Sequence, residues 1–516
     1  MIQRNAVLLA AAMFVLVIDT SLMNVSIASV VEDLDTTVSG VQGAIALEAL
    51  VSAAFILIGS KVADLIGRKR AFVLGMLGYA LGALSMTLAQ SLVPILIFWA
   101  IVGGLGASLM LPAMQALIHG NFEGDDQKKA YALVGAASGI AAAIGPLLGG
   151  FLTTYLSWRI GFLLEVVIIA IALIGLRGIA DVPYTGPREI DKVGAVLSAI
   201  GMAGVVVGIL IWQEGGEYVG VVIAIGLVGL GSLARWLTRR KAAGKPALID
   251  PELFTFDLFR LGFGSQMLQN IALGGLMIAL PIYLQMVLEY NAMETGLTMA
   301  PLSLTMFFVA LMAGKRAGQH RPAAIIRLGA GLLSLGVAGL IVVVGQSHTG
   351  WALAIPLTLA GAGLGMLVSQ LNNYTLSPID DLRVSEAAGV NSAAGSFGLS
   401  FGLAAGGAVL LAALSIAFNQ QATDSTVLPK ASQEQVADAL EDDAQVMSNT
   451  QLEEQIKGQP QEIQDEIIRI NTDVRPLALQ IGLAVPLIAA LLGLANGFRM
   501  MRRPDPVASE REILMD

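Results

Sequence analysis

Apolar residues run along this chain in long blocks, interrupted by charges, Gly and Pro rather than by the short polar alternation of a soluble fold. A helix that crosses a bilayer needs about 20 mostly apolar residues. Blocks of that kind lie near 6–30, 41–60, 71–90, 92–118, 130–152, 160–180, 190–212, 217–238, 258–288, 295–314, 326–345, 351–376, 385–417 and 475–500. The pattern predicts an all-α integral membrane protein with fourteen spanning helices. The first block is too long for the apolar stretch of a signal peptide and contains Asp19. With no small-residue cleavage site ahead of a soluble domain, it reads as the first span.

Composition narrows the class further. Hydrophobic types make up 55 % of the 516 residues and charged types only 13 %, where a soluble protein carries about a quarter charged. That excludes an ordinary cytosolic enzyme, and 30 basic against 39 acidic residues leave no basic surface for nucleic acid. The chain has no Cys, and its three His (His119, His320, His348) are scattered, so neither a disulfide scaffold nor a metal centre is expected. No P-loop occurs, so ATP does not drive the protein directly. No nucleophile, base and oxyanion set can be assembled, so no enzyme and no cofactor is expected.

Lys and Arg concentrate on the cytoplasmic side of membrane proteins. With the N-terminus inside, only Arg159, Lys430, Lys457, Arg469 and Arg475 of the 30 fall outside. An even count of spans then places both termini in the cytoplasm. The segment 418–474 carries twelve acids and three bases, a net of −9 equal to that of the whole chain, and is expected as an outer loop. Leu452, Ile456, Ile463, Ile467 and Ile470, like Val436 and Leu440, recur near helical spacing. They predict two short amphipathic helices broken near Gly458 and Pro460. This loop is either a solvated ornament or a lid or docking surface.

Three motifs carry more information. Between spans 2 and 3 stand Gly59, Asp64, Gly67, Arg68, Lys69 and Arg70, a tight turn with an acid beside a basic cluster. Span 5 holds Gly139, Gly145, Pro146, Gly149 and Gly150: small residues for close packing and a proline that permits a kink. Span 1 reads Ile18, Asp19, Thr20, Ser21, Leu22, Met23, Asn24, Val25. Together with Trp158, Arg159 and Asp191, these resemble the major facilitator superfamily, and within it the fourteen-helix drug:proton antiporter family. The resemblance covers nearly all of the chain and is strongest in the first 160 residues.

The resemblance implies a major facilitator fold: a six-helix half over 1–180, two inserted peripheral helices over 190–238, and a second half over 250–516 that includes the acidic outer loop. It also implies that Gly59, Asp64, Gly67 and Arg68 form a cytoplasmic latch between the halves, and that the span 5 glycines form the antiporter motif. It implies a multi-pass protein of the bacterial plasma membrane, expected as a monomer among lipids. There are departures. Ala100 stands where the family has an Arg linked to proton coupling, and Gly43 and Glu48 replace an aromatic pair of span 2. Glu165 replaces an Asn, and span 13 lacks family acids near Asn391 and Ser396.

Ionisable residues inside spans are costly, about 2.5–3.5 kcal/mol on insertion scales, and line cavities or pair up. At a 1.5 Å rise, Asp19 sits about 16 Å below the outer end of span 1. Glu48 and Glu165 sit about 10 Å and 8 Å deep. Acids without a counter-ion in low dielectric can exchange protons near neutral pH, so Asp19, Glu48 and Glu165 are the candidates for proton coupling. The alternatives are a hydrogen-bond hub for Asp19 and a pair with Arg159 for Glu165. Polar residues at helical-face spacing on spans 9 and 12 (Gln266, Gln269, Asn270, Gln370, Asn373), with Asn24 and Met114, are the expected substrate pocket, unless they only pack helices. The leading function is export of amphipathic or cationic lipophilic compounds by proton antiport and alternating access. The alternative is an exporter or flippase of lipid-like molecules with altered or absent coupling.

Overall fold

The computed structural model describes residues 2–122, 124–181, 191–213, 216–315, 320–346, 349–379, 383–428, 452–453 and 456–504, and no strand occurs among them. Fourteen helices among these residues are long and apolar enough to cross a membrane. In order, spans 1 to 7 are Arg4–Val25, Val38–Ile66, Arg68–Leu88, Leu92–Ile118, Lys129–Tyr155, Trp158–Gly175 and Lys192–Trp212. Spans 8 to 14 are Val219–Ala242, Asp257–Val287, Ala292–Gly314, Pro322–Val344, Gly350–Leu376, Glu386–Asp424 and Gln461–Met500.

Local chemistry sets several of the boundaries. Thr37 caps span 2 by accepting from the Gly40 amide at 3.1 Å. Asn291 and Glu294 exchange side-chain-to-backbone bonds of 2.9 and 3.0 Å, the reciprocal arrangement of a capping box, at the start of span 10. Gly67 closes the turn between spans 2 and 3 at φ +99°, a conformation that L side chains rarely adopt.

Packing follows a repeated scheme. Span 1 lies on spans 5 and 6, span 4 on 2 and 3, and span 3 on 6. Adding eight to each number gives the observed pairs 9 with 13 and 14, 12 with 10 and 11, and 11 with 14. The two groups meet along spans 2 and 13 and along spans 5 and 10. Spans 7 and 8 pair with each other, and span 7 leans on spans 2 and 13. Glycines allow the closest crossings: a Cβ on Gly106 of span 4 would lie 2.6 Å from the Gly75 carbonyl of span 3.

Helical structure enters the expected outer loop 418–474 from both ends. Span 13 stays helical to Asp424, and span 14 begins at Gln461, just after Pro460. Residues 461–474 are too acidic for a hydropathy window, yet Ile467, Ile470 and Val474 are buried. Arg475, expected at the outer end of span 14, is buried beside Tyr283 and Leu410. Val436 and Leu440 lie outside the described residues.

Arg159 does not form the alternative pair with Glu165. It pairs with Asp33 on the short helix Ile27–Leu34, not with Glu165. Its Nη2 donates to the Ala89 carbonyl at 2.6 Å, and its guanidinium lies 4.4 Å over the Trp158 ring. Trp158 Nε1 donates to the same Asp33 at 3.0 Å. Arg159→Ala should therefore cost about 1–2 kcal/mol of stability, read as a lower Tm in detergent; an unchanged Tm would mean the cluster is merely solvated.

Candidate functional site

Span 1 carries Asp19 into the first group of helices, where it is 1 % exposed. Tyr79 of span 3 donates its hydroxyl to Asp19 Oδ2. Trp99 of span 4 donates its indole Nε1 to Oδ1 and Oδ2 at 3.1 and 3.0 Å. Trp99 sits in the π-helical stretch Ile95–Gly103, whose wider turns re-aim side chains, and it packs edge-on against Phe162 at 6.4 Å. The adjacent Ala100 is fully buried, and a neutral donor serves the acid.

Glu165 of span 6 is also 1 % exposed, and neither of its carboxyl oxygens has a hydrogen-bond partner. Glu48 of span 2 is half-buried. Glu165 stands one turn after Phe162, whose ring packs on Trp99, and the Glu48 carbonyl lies against Gly104 of span 4. Among the described residues no Lys or Arg pairs with any of the three, and no cluster of His, Asp and Glu could hold a metal ion. Three carboxyls without a cation can take up and release protons.

Tyr79 and Trp99 were not singled out from sequence. A signal was present for Trp99, since a buried indole N–H in an apolar helix needs an acceptor. Nothing in the sequence marked Asp19 as that acceptor.

The span 5 motif stands between both groups. A Cβ on Gly149 would lie 3.1 Å from Leu22 Cα of span 1, and one on Gly145 would overlap Ser21. On the other side, Gly150 abuts Ala292 and Met293 of span 10, and Gly139 faces the Phe307 ring. The Pro146 carbonyl abuts Gly296. Near these contacts the Met293 amide donates to Thr154 Oγ1 at 2.9 Å, and the Ser26 and Thr153 hydroxyls bond at 2.7 Å. Gln285 of span 9 reaches across: its Oε1 accepts from the Ala28 amide at 2.8 Å, and its Nε2 donates to the Asn24 carbonyl at 3.4 Å. The groups are thus closed against each other on the face opposite the termini. Gln285 was not picked out from sequence.

The expected pocket residues are dispersed. Gln266 and Asn270, one turn apart and half-buried, line the side of span 9 next to Gly395 of span 13. Gln269 points elsewhere and is buried with its Oε1 unbonded, as are both side-chain polar atoms of Asn24. Gln370 is turned to the Ala313 carbonyl of span 10, Asn373 is exposed, and Met114 is buried in the core of the first group beside Leu117 and Ala113. Only Gln266 and Asn270 share one wall. Gly43, half-buried, faces open space in span 2.

The loop between spans 2 and 3 is held inside the first group. Asp64 and Arg68 pair at 3.4 Å, the Lys69 amide donates to Asp181 at 2.9 Å, and Lys69 Nζ bonds the Ile179 carbonyl. Gly59 lets span 2 touch the backbone of Ser108 in span 4. A second ionic strap lies after span 8. Asp250 takes bonds from Lys241 at 2.7 Å, Arg383 at 2.9 Å and the Glu252 amide at 3.0 Å. Its partial burial pushes the carboxyl up, but these bonds and the two cations hold it below its usual 3.8. A carboxyl so depressed stabilises the fold above its ordinary titration range and loses that contribution as pH falls through its folded value. Asp250→Asn should accordingly lower Tm at pH 7, and the gap to wild type should shrink below about pH 4; a gap independent of pH would refute the strap.

Comparison with known proteins extends these observations. A family model described as the Major Facilitator Superfamily matches residues 9–403. The chain is 27 % identical to the probable actinorhodin transporter of Streptomyces coelicolor over 75 % of its own length and 68 % of that protein. It is 30 % identical to the cephamycin export protein CmcT of Amycolatopsis lactamdurans over 77 % of its length and 83 % of that protein. Its fold is similar to that of a bacterial homologue of the human lysosomal transporter Spinster, crystallised inward-facing and unoccupied, with a TM-score of 0.65 at 13 % identity over 98 % of this chain and 99 % of that one.

Proposed function

The chain belongs to the Major Facilitator Superfamily, a membrane transporter and not an enzyme, and from that premise we propose that it exports amphipathic or cationic lipophilic compounds in exchange for protons. The carrying observation is Asp19: a buried carboxyl with two neutral donors and no paired cation, in a helix group that also holds Glu48 and Glu165. The direction of transport is supported by the export named for the cephamycin relative. Spans 1–6 and 9–14 act as two halves that rock about spans 2, 5, 10 and 13, with spans 7 and 8 at the periphery.

In the cycle, an extracytoplasmic proton reaches the acids when the Gln285 and Gly150 contacts open, and is released to the cytoplasm when they close. Substrate meets the half-buried wall of Gln266 and Asn270. The protein works in the plasma membrane with both termini cytoplasmic, as a monomer, without ATP. The test uses proteoliposomes and ethidium as the permeant cation. An imposed proton gradient should drive ethidium movement that an ionophore abolishes. Ethidium movement indifferent to the gradient would overturn coupling; no ethidium movement beside altered transbilayer lipid would favour a lipid-like cargo.

A further inference from the structure

Where span 8 leaves the bilayer, a cavity of about 440 Å³ opens between three elements. Lys61 comes from the end of span 2, Lys241 and Lys245 from the end of span 8 and the turn after it, and Glu386 from the start of span 13. Asp191 and Asp250 complete its charged lining, together with apolar Pro246, Ala247 and Leu248. Three bases against three acids make the lining neutral on paper, so the state of each group decides what it attracts.

The acids are occupied. Asp191 accepts from the Gly194 and Leu248 amides at 3.0 and 3.2 Å and from Trp236 Nε1 at 3.0 Å, with Arg240 at 3.8 Å. Asp250 is held by Lys241 and Arg383, and Glu386 accepts from the Asp250 amide at 2.9 Å. Two of the three lysines are not: among the described residues, Lys61 and Lys245 make no side-chain hydrogen bond or ion pair. Two ammonium groups with spare donors thus face a cavity in which Asp191 and Asp250 have basic partners and Glu386 accepts from an amide. A space of this size suits a small headgroup, since ligand pockets run from about 300 Å³ upward.

Its position indicates the source. The last turn of span 8 carries Arg239, Arg240 and Lys241, and span 8 is the least buried of the fourteen, so its length is left to lipid. A basic cluster at the end of a spanning helix attracts anionic lipid at about 1 kcal/mol per cation. We propose that this cavity binds a phosphate-bearing anion, the headgroup of an anionic phospholipid, through Lys61 and Lys245. A headgroup seated there touches spans 2 and 13 together, which is where the two groups of helices meet. The site is separate from the buried acids and does not depend on the transport reading.

The test is native mass spectrometry of the purified full chain with dioctanoyl phosphatidylglycerol and, separately, inorganic phosphate. Wild type should retain the lipid, and Lys61→Gln with Lys245→Gln should weaken retention by about tenfold or more. The double Arg variant should keep it, which separates lost charge from lost folding. Phosphate bound in the same lysine-dependent way without lipid would assign the site to a soluble phosphate instead. Equal lipid retention by wild type and the Gln variant, or no binding of either probe, would overturn the proposal.

Discussion

Asp19→Asn is expected to abolish gradient-driven export while leaving a folded, inserted protein. The amide has nearly the shape of the acid and can still accept from Trp99 or Tyr79, so the structural loss is about one hydrogen bond, about 1 kcal/mol. What it cannot do is release a proton. One proton moving down 100 mV supplies about 2.3 kcal/mol, which sustains a gradient of about 50-fold for an uncharged substrate at 1.36 kcal/mol per decade; a monovalent cation is driven by the pH gradient alone. The variant should lose that gradient and keep at most passive exchange, with Tm close to wild type. Tyr79→Phe and Trp99→Phe, which remove one donor each, should slow export without ending it. Measured export ratios in vesicles, beside Tm, check all three; full export by Asp19→Asn would move the coupling role to Glu48 or Glu165.

Gly150→Leu should be nearly as damaging by a different route. Gly150 rests against span 10, and a Cβ there would lie 2.9 Å from Met293 Cα with the Ala292 carbonyl nearer still. Backbone cannot yield as a flexible side chain can, and forcing extra methylenes into such a contact costs about 1–3 kcal/mol. That cost falls on the conformation closed on the face opposite the termini, so the equilibrium shifts toward the open one by about 5- to 150-fold. Transport should drop by about fivefold or more. Because the chain has no cysteine, Thr154→Cys provides a single reporter beside the contact. Maleimide labelling at that position should quicken in Gly150→Leu; unchanged labelling with normal transport would show that spans 5 and 10 tolerate separation.

Both predictions rest on residues that the sequence marks unevenly. The fourteen spans are legible because each is a long apolar run, and spans 2, 13 and 14 run further than expected through polar ends that a hydropathy average discards. Asp19 and the span 5 glycines stand out as a charge in an apolar run and as a dense small-residue motif. Partners across helices do not, since periodicity describes one helix and not which neighbour its face meets. That is why a pair of Arg159 with Glu165 stood open as an alternative, while Arg159 is found on Asp33 and Glu165 is left unbonded. It is also why Gln370 and Met114, suitably spaced on their own helices, turn to span 10 and to the core. Gln285 was invisible for the same reason: its two contacts lie 257 and 261 residues away.

The cavity beneath span 8 raises a related point. The basic run there reads from sequence as an orientation signal, and much of it is consumed by that role: Arg240 faces Asp191, and Lys241 faces Asp250 and Glu252. Only the folded arrangement separates the engaged cations from Lys61 and Lys245, which come from opposite ends of the first half of the chain.

Proton release is the most direct measure of the central claim. Purified protein in weakly buffered detergent with a pH indicator would receive ethidium, wild type beside Asp19→Asn. Ethidium-triggered acidification by wild type, absent from the variant, is the predicted result. Ethidium binding to both proteins with no acidification from either would contradict proton exchange at Asp19.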